Sequence, residues 1–441
     1  MEGIRAGVAE VNITPPVGVT LCGFAARKGP SESVHDDLYA RALVLEDGET
    51  RIGIVTADVI SFAPDLVERI RGLVLEQAGI RGAHLALNGS HSHSGPTVMA
   101  FRSMGDRDPA YEDVLCRKVA GAMKMASERL EAASLSVGRA PVRIGHNRRE
   151  RRKDGRTVIG HNPGGPEAPW VDVLRADRAD GSPMGVLYAH AAHPVNLRGL
   201  EVSAEYPGYA ARFIACNLGG AVPMFAQGCC GDINCAPMDG RFETSEHQGM
   251  ILGCAAVTAA LRAEPVGGSG LAAACRTVHL PLIVPTAEEA GRALEEQREN
   301  LSRAGKDERV TPYQVRVWHE GQVGWAEDYL RAAREGDRGQ TQAFEVQAMR
   351  VGDLALVAYP GEMFVDYQLW LDRESPFPRT ITLGYTNGCI GYVPTAAAYP
   401  EGGYEVNGAF RYYGTLMIAS DCERLIREAT LDLLKGMRRE R

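Results

Sequence analysis

The chain has 441 residues, 45% hydrophobic and 24% charged, with 48 basic residues against 56 acidic ones and a formal net charge of −8. That composition supports a large buried core and excludes a disordered chain. The negative balance offers no overall attraction to a phosphate backbone, so nucleic acid is not an expected partner.

The opening stretch MEGIRAGVAEVNITPP has no apolar core of signal-peptide length. No later run approaches the roughly 20 apolar residues of a membrane span, so no membrane insertion is expected and the chain reads as cytoplasmic. Ten cysteines lie scattered, mostly in apolar contexts. In a reducing compartment most are expected as small buried hydrophobes. Cys229, Cys230 and Cys235 form a possible soft-metal group, but no second CxxC-like pair accompanies them.

Residues 51–57 (RIGIVTA) read as a buried strand, and 64–78 follow with apolar residues at helical spacing. Residues 84–88 repeat the strand signal and run into the loop GSHSHSGP, after which 111–130 read as a long helix. The basic run 148–156 reads, on charge alone, as solvated surface. Short apolar strands at 185–189 and 221–226 flank a helix at 206–217, and end in the loops HAAHPVN and QGCCGDIN. A helix packed by alanines is expected at 243–261, an exposed strand at 271–283 and a charged amphipathic helix at 287–304. Residues 344–358 are two strands joined at Gly352-Asp353, a hairpin signal, and the second strand leads into YPGEMF. A strand at 380–385, a long loop and a helix at 416–434 close the chain. With no repeat or linker, residues 1–441 are expected as one α/β domain, helices layered over a mixed sheet.

Polar residues collect in the loops that follow apolar strands, where open α/β folds place ligands. His91 and His93, separated by one residue on an extended backbone, project to the same side, and Asn88, Ser90, Ser92 and Ser94 surround them. The second loop offers His190 and His193, of which His190 reads equally well as a core residue. Glu362 is a carboxylate at a strand end, where a solvent-facing acid is also plausible. Histidine nitrogen with carboxylate oxygen suits zinc, with a position left for water whose pKa falls to about 7. That chemistry is hydrolysis of a carbonyl compound.

The stretches GSHSHSGP, AHPVN, GDIN, PGE and GYVPTAAAYPEGGYE, together with the opening GVAEVNITPPVGVTLCGFAAR, occur in an order that resembles the neutral/alkaline ceramidase family over nearly the whole chain. The resemblance implies a zinc ion held by His91, His193, Glu362 and Tyr392. It places His93 at the substrate carbonyl or the moving proton, and Arg148, after Asn147, and Tyr404 as further donors to a developing oxyanion. A phenol is an unusual zinc ligand, and Tyr392 also reads as a packed aromatic. Where the family has a serine in its GDxS motif this chain has Asn234, whose amide holds a carbonyl or hydroxyl but cannot act as an oxygen nucleophile. The secreted members carry a signal peptide and a C-terminal immunoglobulin-like domain that find no counterpart here. The expectation is therefore a zinc-dependent hydrolase cleaving an amide bond of a small soluble N-acyl amine-type substrate. An esterase or lactonase, a lyase or isomerase on a sugar-like polyol, and a non-catalytic metal-stabilised binding protein are the other readings.

Overall fold

A computed structural model of the chain describes residues 3–439. Its main strands are β1 (Arg5–Asn12), β2 (Tyr39–Glu46), β3 (Arg51–Ala57), β4 (Leu85–Gly89), β5 (Glu131–Pro141), β6 (Trp170–Arg178), β7 (Pro183–His190), β8 (Val222–Gln227), β9 (Leu271–Pro281), β10 (Thr341–Val351), β11 (Leu354–Ala358) and β12 (Arg379–Leu383). The main helices are α1 (Pro64–Ala78), α2 (Pro109–Glu128), α3 (Glu205–Asn217), α4 (Phe242–Leu261), α5 (Ala287–Ala304), α6 (Gly321–Glu335), α7 (Val365–Glu374) and α8 (Cys422–Arg439).

The strands form two large sheets. The first runs β8-β7-β6-β5-β1-β2-β3-β4, with the short strand Glu264–Pro265 beside β5, and the second runs β9-β10-β11-β12. Most neighbours are antiparallel, but β3–β4, β7–β8 and β11–β12 are parallel. Alternation along the strands explains how the sheets stack. Leu43, Leu45, Ile52 and Ile54 of the first sheet pack into one core with Met349, Leu354, Leu356 and Ile381 of the second. The intervening residues Val44 and Val55 face outward into a core shared with Ile70 of α1 and Val119 of α2. On the other side, Val346, Ala355 and Val357 meet Leu371 of α7 and Ile426 of α8. The result is four layers, helix, sheet, sheet and helix, the layered mixed α/β arrangement expected from the chain's alternating periods.

Local signals set the element ends. Pro64 opens α1 where its missing N–H costs nothing, and Gly79 closes it at φ 66, a left-handed position that favours glycine. Asp108 caps α2 by accepting from the amides of Ala110 and Tyr111. The last helix begins at Cys422 rather than near 416, because Met417 and Ile418 pack into the second-sheet core as part of the preceding loop. Residues 282–340, between β9 and its hairpin partner β10, leave the sheet to form α5, a π-helical turn (Val315–Glu320) and α6.

The basic run splits. Arg148 and Arg149 are buried, because both reach Glu405, whereas Arg151 to Lys153 are exposed as a solvated stretch should be.

Candidate metal centre

The three parallel strand pairs bring their carboxyl ends to one place. Asn88, at the end of β4, joins them: its Nδ2 donates to the Gly384 carbonyl at 2.8 Å and to Thr386 Oγ1 at 3.0 Å, and its Oδ1 accepts from Gln227 N at 2.8 Å. The buried amide thus ties β4 of the first sheet to β8 and to the end of β12. Into this junction the strand-end loops deliver His91 and His93 after β4, His193 after β7, and Glu362 after β11.

These side chains meet. His193 Nε2 lies 2.9 Å from Glu362 Oε2 and His91 Nε2 lies 3.4 Å from the same oxygen. The ligand atoms of His91, His93 and His193 all fall within 4.8 Å of one another, a group able to hold a metal ion. His91 Nδ1 is 2.9 Å from the Ile60 carbonyl and His193 Nδ1 is 2.9 Å from the Ile233 carbonyl. Those contacts assign the ring proton to Nδ1 and turn the Nε2 lone pairs inward, the arrangement that orients metal-ligating histidines.

Burial first, then the Arg148 charge, pushes the His193 imidazole down to about 4. Burial and the adjoining His91 and His193 take His93 well below its ordinary value. Burial would raise Glu362, but His91 and then His193 outweigh it and hold the carboxylate well below the usual range. Glu362 is thus held as an anionic carboxylate, and it faces a His193 ring that is neutral at pH 7. Two imidazoles with Nδ1 tied to backbone carbonyls and Nε2 turned to one carboxylate oxygen form a donor set that fits a divalent metal.

Around this cluster the sequence-derived residues occupy distinct positions. His93 sits behind His91, with Nε2 3.4 Å from His91 Nε2, and its buried Nδ1 has no hydrogen-bond partner. Phe24 meets the His93 ring edge-on at 4.9 Å, and the absence of a side chain at Gly23 is what lets that loop lie against the imidazole. Arg148 is buried and fixed by three bonds: Nε to Glu405 at 2.9 Å, Nη1 to Asn234 Oδ1 at 3.0 Å and Nη2 to the Tyr392 hydroxyl at 2.9 Å. Burial opposes its charge, but Tyr392 and Glu405 raise its pKa well above the ordinary value. Asn234 also bridges to His193 through the backbone. Tyr392 pairs with Glu362 in a short parallel bridge, and Tyr404 meets the Tyr392 ring edge-on at 5.6 Å. His190 lies apart, with Nδ1 2.8 Å from the Trp170 carbonyl, in the core role that its sequence context left open.

Two tyrosines escaped sequence reasoning. Tyr385 donates to Glu362 Oε2 at 3.3 Å and Tyr413 donates to Oε1. Tyr385 ends a predicted strand and precedes TNG, the only local signal; Tyr413 has none. Gly231 of the GDIN loop is required by contact, since a Cβ there would run into the Glu362 carbonyl. Cys229, Cys230 and Cys235 are buried thiols, and Cys230 Sγ lies 3.0 Å from the Tyr385 hydroxyl. Most of the cysteines are buried as expected, with Cys216 and Cys254 the exposed exceptions.

Fold and site together define a four-layer α/β protein with a buried histidine group suited to a metal ion at the ends of its parallel strand pairs. A family model for the N-terminal region of neutral/alkaline non-lysosomal ceramidases matches residues 4–236, more than half of the 441 residues, and the chain belongs to that family. The neutral ceramidase of Mycobacterium tuberculosis is 23% identical over 478 residues, covering 92% of this chain and 73% of the relative. That of Drosophila melanogaster is 32% identical over 96 residues, 21% of this chain and 14% of the relative. Among solved structures, neutral ceramidase from Pseudomonas aeruginosa superposes with a TM-score of 0.76 at 18% identity, over 99% of this chain and 75% of that one. A ceramidase complexed with C2 superposes with a TM-score of 0.78 at 17% identity, over 99% of this chain and 76% of the other. Among the described residues no helix is long and apolar enough to cross a membrane.

Proposed function

We propose that this chain is a zinc-dependent hydrolase that cleaves the amide bond of a small, soluble N-acyl amine-type substrate. One observation carries the reading: the Nε2 atoms of two buried imidazoles converge on one buried carboxylate oxygen, with the second nitrogen of each ring bonded to a backbone carbonyl. His91, His193 and Glu362 would hold the ion, with Tyr392 as the expected fourth ligand. Zinc there supplies Lewis acidity, lowering the pKa of water and polarising a carbonyl.

The chain's own residues supply the rest. Arg148, pinned by Glu405, Asn234 and Tyr392, presents a fixed positive charge to a developing oxyanion, and Tyr404 adds a neutral donor. His93 is neutral at pH 7 and turns its Nε2 towards the histidine group, where it would carry a proton to the leaving amine. Asn234 accepts from Arg148 and positions it, which is a role that its amide can fill and that needs no nucleophilic oxygen. Arg148, Asn234 and Glu405 are buried while His93, Tyr392 and Tyr404 are half-buried, so the donors are recessed from the surface, which favours a substrate that enters alone over one held in a bilayer. The relatives named above are ceramidases, which makes an N-acyl amine the first class to try.

The test is hydrolysis of short-chain N-acyl amines, matched esters and bilayer ceramide side by side, with zinc content measured per chain. Turnover of the short amides that disappears on chelation and returns with zinc supports the reading. Undiminished turnover in metal-free protein would sink it, and activity confined to ceramide vesicles would replace the small substrate by a lipid.

A further inference from the structure

We propose that Glu205 is a positioning residue for the metal centre, holding the His193 loop against the His91–His93 loop so that the imidazoles share one point. The inference rests on reading these histidines as metal-binding. Glu205 opens α3 and is fully buried. Its Oε2 accepts from the amides of Asn196 at 3.0 Å and Leu197 at 3.2 Å, and its Oε1 lies 3.5 Å from Ser94 Oγ as acceptor. Its own N–H goes to Ser203 Oγ, while Ser203 receives Ser92 Oγ on its carbonyl at 2.9 Å and donates its N–H to the Ser94 carbonyl at 3.0 Å. The loops so joined are the two that carry the histidines.

The backbone gives an independent sign. Among the described residues, the non-glycine positions with positive φ are His91 at 62°, Glu205 at 52°, Tyr385 at 48° and Asn387 at 60°. His91 is a proposed ligand, Tyr385 donates to Glu362, and Asn387 accepts from the Leu87 amide of the strand that leads to His91. Left-handed backbone is costly for a residue with a Cβ and persists where the surroundings demand it, often at functional sites. Glu205 shares that conformation.

Its counterpart is Arg27, whose guanidinium donates to the carbonyls of Cys22, of His93 at 2.6 Å and of Gly199 at 3.1 Å. The guanidinium takes carbonyls on either side of the seam, and the carboxyl takes two amides of the His193 loop and the Ser94 hydroxyl of the other. Burial pushes the Glu205 carboxyl up to about 8, with the Arg27 guanidinium among the groups that oppose the rise.

The test compares parent, E205G and E205Q by zinc affinity in chelator competition, by kcat and KM on the short amide, and by thermal unfolding of the metal-free proteins. Glycine adopts φ 52 freely, so E205G removes the carboxylate without backbone strain. Glutamine keeps an acceptor for the two amides. Zinc binding about 10–100-fold weaker in E205G, with kcat reduced and E205Q within threefold of the parent, is the expected result. A folded E205G that binds zinc within threefold of the parent overturns the role, and so does a loss in E205Q as large as that in E205G. A fall in metal-free Tm alone, with zinc affinity and kcat unchanged, shows a purely structural glutamate and also overturns it. Should E205G not fold, E205D keeps the carboxyl but shortens the reach, and must show a comparable loss of zinc affinity. A parent that takes up no zinc fails earlier and sinks the metal reading itself.

Discussion

Two buried polar clusters lie against the first sheet, and they differ in how donors meet acceptors. Around Arg41 every charge is matched: Nε donates to Glu10 Oε2 at 2.6 Å, Nη1 donates to Asp58 Oδ2 at 3.3 Å, and the Tyr39 amide donates to the same Asp58 oxygen at 2.9 Å. Around Glu362 two histidine nitrogens converge on one carboxylate oxygen, and the opposite nitrogen of each ring is already 2.9 Å from a backbone carbonyl. The first cluster is complete as it stands, and burial of its ions is offset by their pairing. The second gathers imidazoles and a carboxylate that a cation would join. Burial and charge alone do not separate a structural ion cluster from a metal centre; the direction of each hydrogen bond does.

The largest effect expected is in E362A, which removes the one oxygen common to both imidazoles. Its kcat/KM should fall by about a thousandfold or more, to the level of chelated parent, with zinc lost from the purified protein. If E362A retains zinc and turnover, the contrast between the clusters has no functional meaning. Next comes His93, which sharpens the assignment within the histidine group. H93A is expected to lose about 10²–10⁴ in kcat while keeping its zinc, as suits a proton carrier. Loss of zinc together with activity would instead make His93 a ligand.

On the other side of the comparison, R41A leaves the Asp58 carboxylate buried without its partner. Denaturant unfolding should show a loss of about 3–5 kcal/mol, with kcat per folded molecule unchanged. An R41A protein that is stable but inactive would move this cluster into the functional machinery. The smallest effect is expected at Asp232, which accepts from Asn147 Nδ2 and from the Val365 amide and is pushed by burial up to about 7. A raised acid favours the folded state while protonated. Its contribution is therefore full below the ordinary value of 3.8, declines as pH rises towards 7 and is flat above. In metal-free protein, the stability difference between parent and D232N should shrink across that window; a constant difference removes Asp232 as a titrating group.

Local chemistry made much of the fold legible. The strand at 51–57 and the helices at 64–78 and 287–304 agree with the expected bounds, because strand composition, Pro64 and the Thr286 capping box act within a few residues. The hairpin at Gly352 was equally plain, with Gly352 at φ 56. The stacking of two sheets was not, since it depends on pairing β9 with β10 across residues 282–340 and on both faces of each sheet being apolar. At the site, His91, His93, His193 and Glu362 stood out by loop position and motif order. Tyr413 reaches Glu362 across 51 residues, and Arg149 reaches Glu405 across 256, and no local pattern encodes such contacts. The inward turn of Arg148 and Arg149 was hidden for the same reason: a charge run looks solvated until its distant partner is known.

The proposed ligands belong to chain positions 91, 193 and 362, two from loops of the first sheet and one from a loop of the second. An ion shared among them acts as a rivet through the layers, pinning segments that the unfolded chain would hold far apart. Such a fastener restricts the loose chain more than the folded one, and its strength follows ion concentration through mass action. Melting temperature should accordingly climb with free zinc, and proteases should find the seam between the sheets soonest when zinc is withheld.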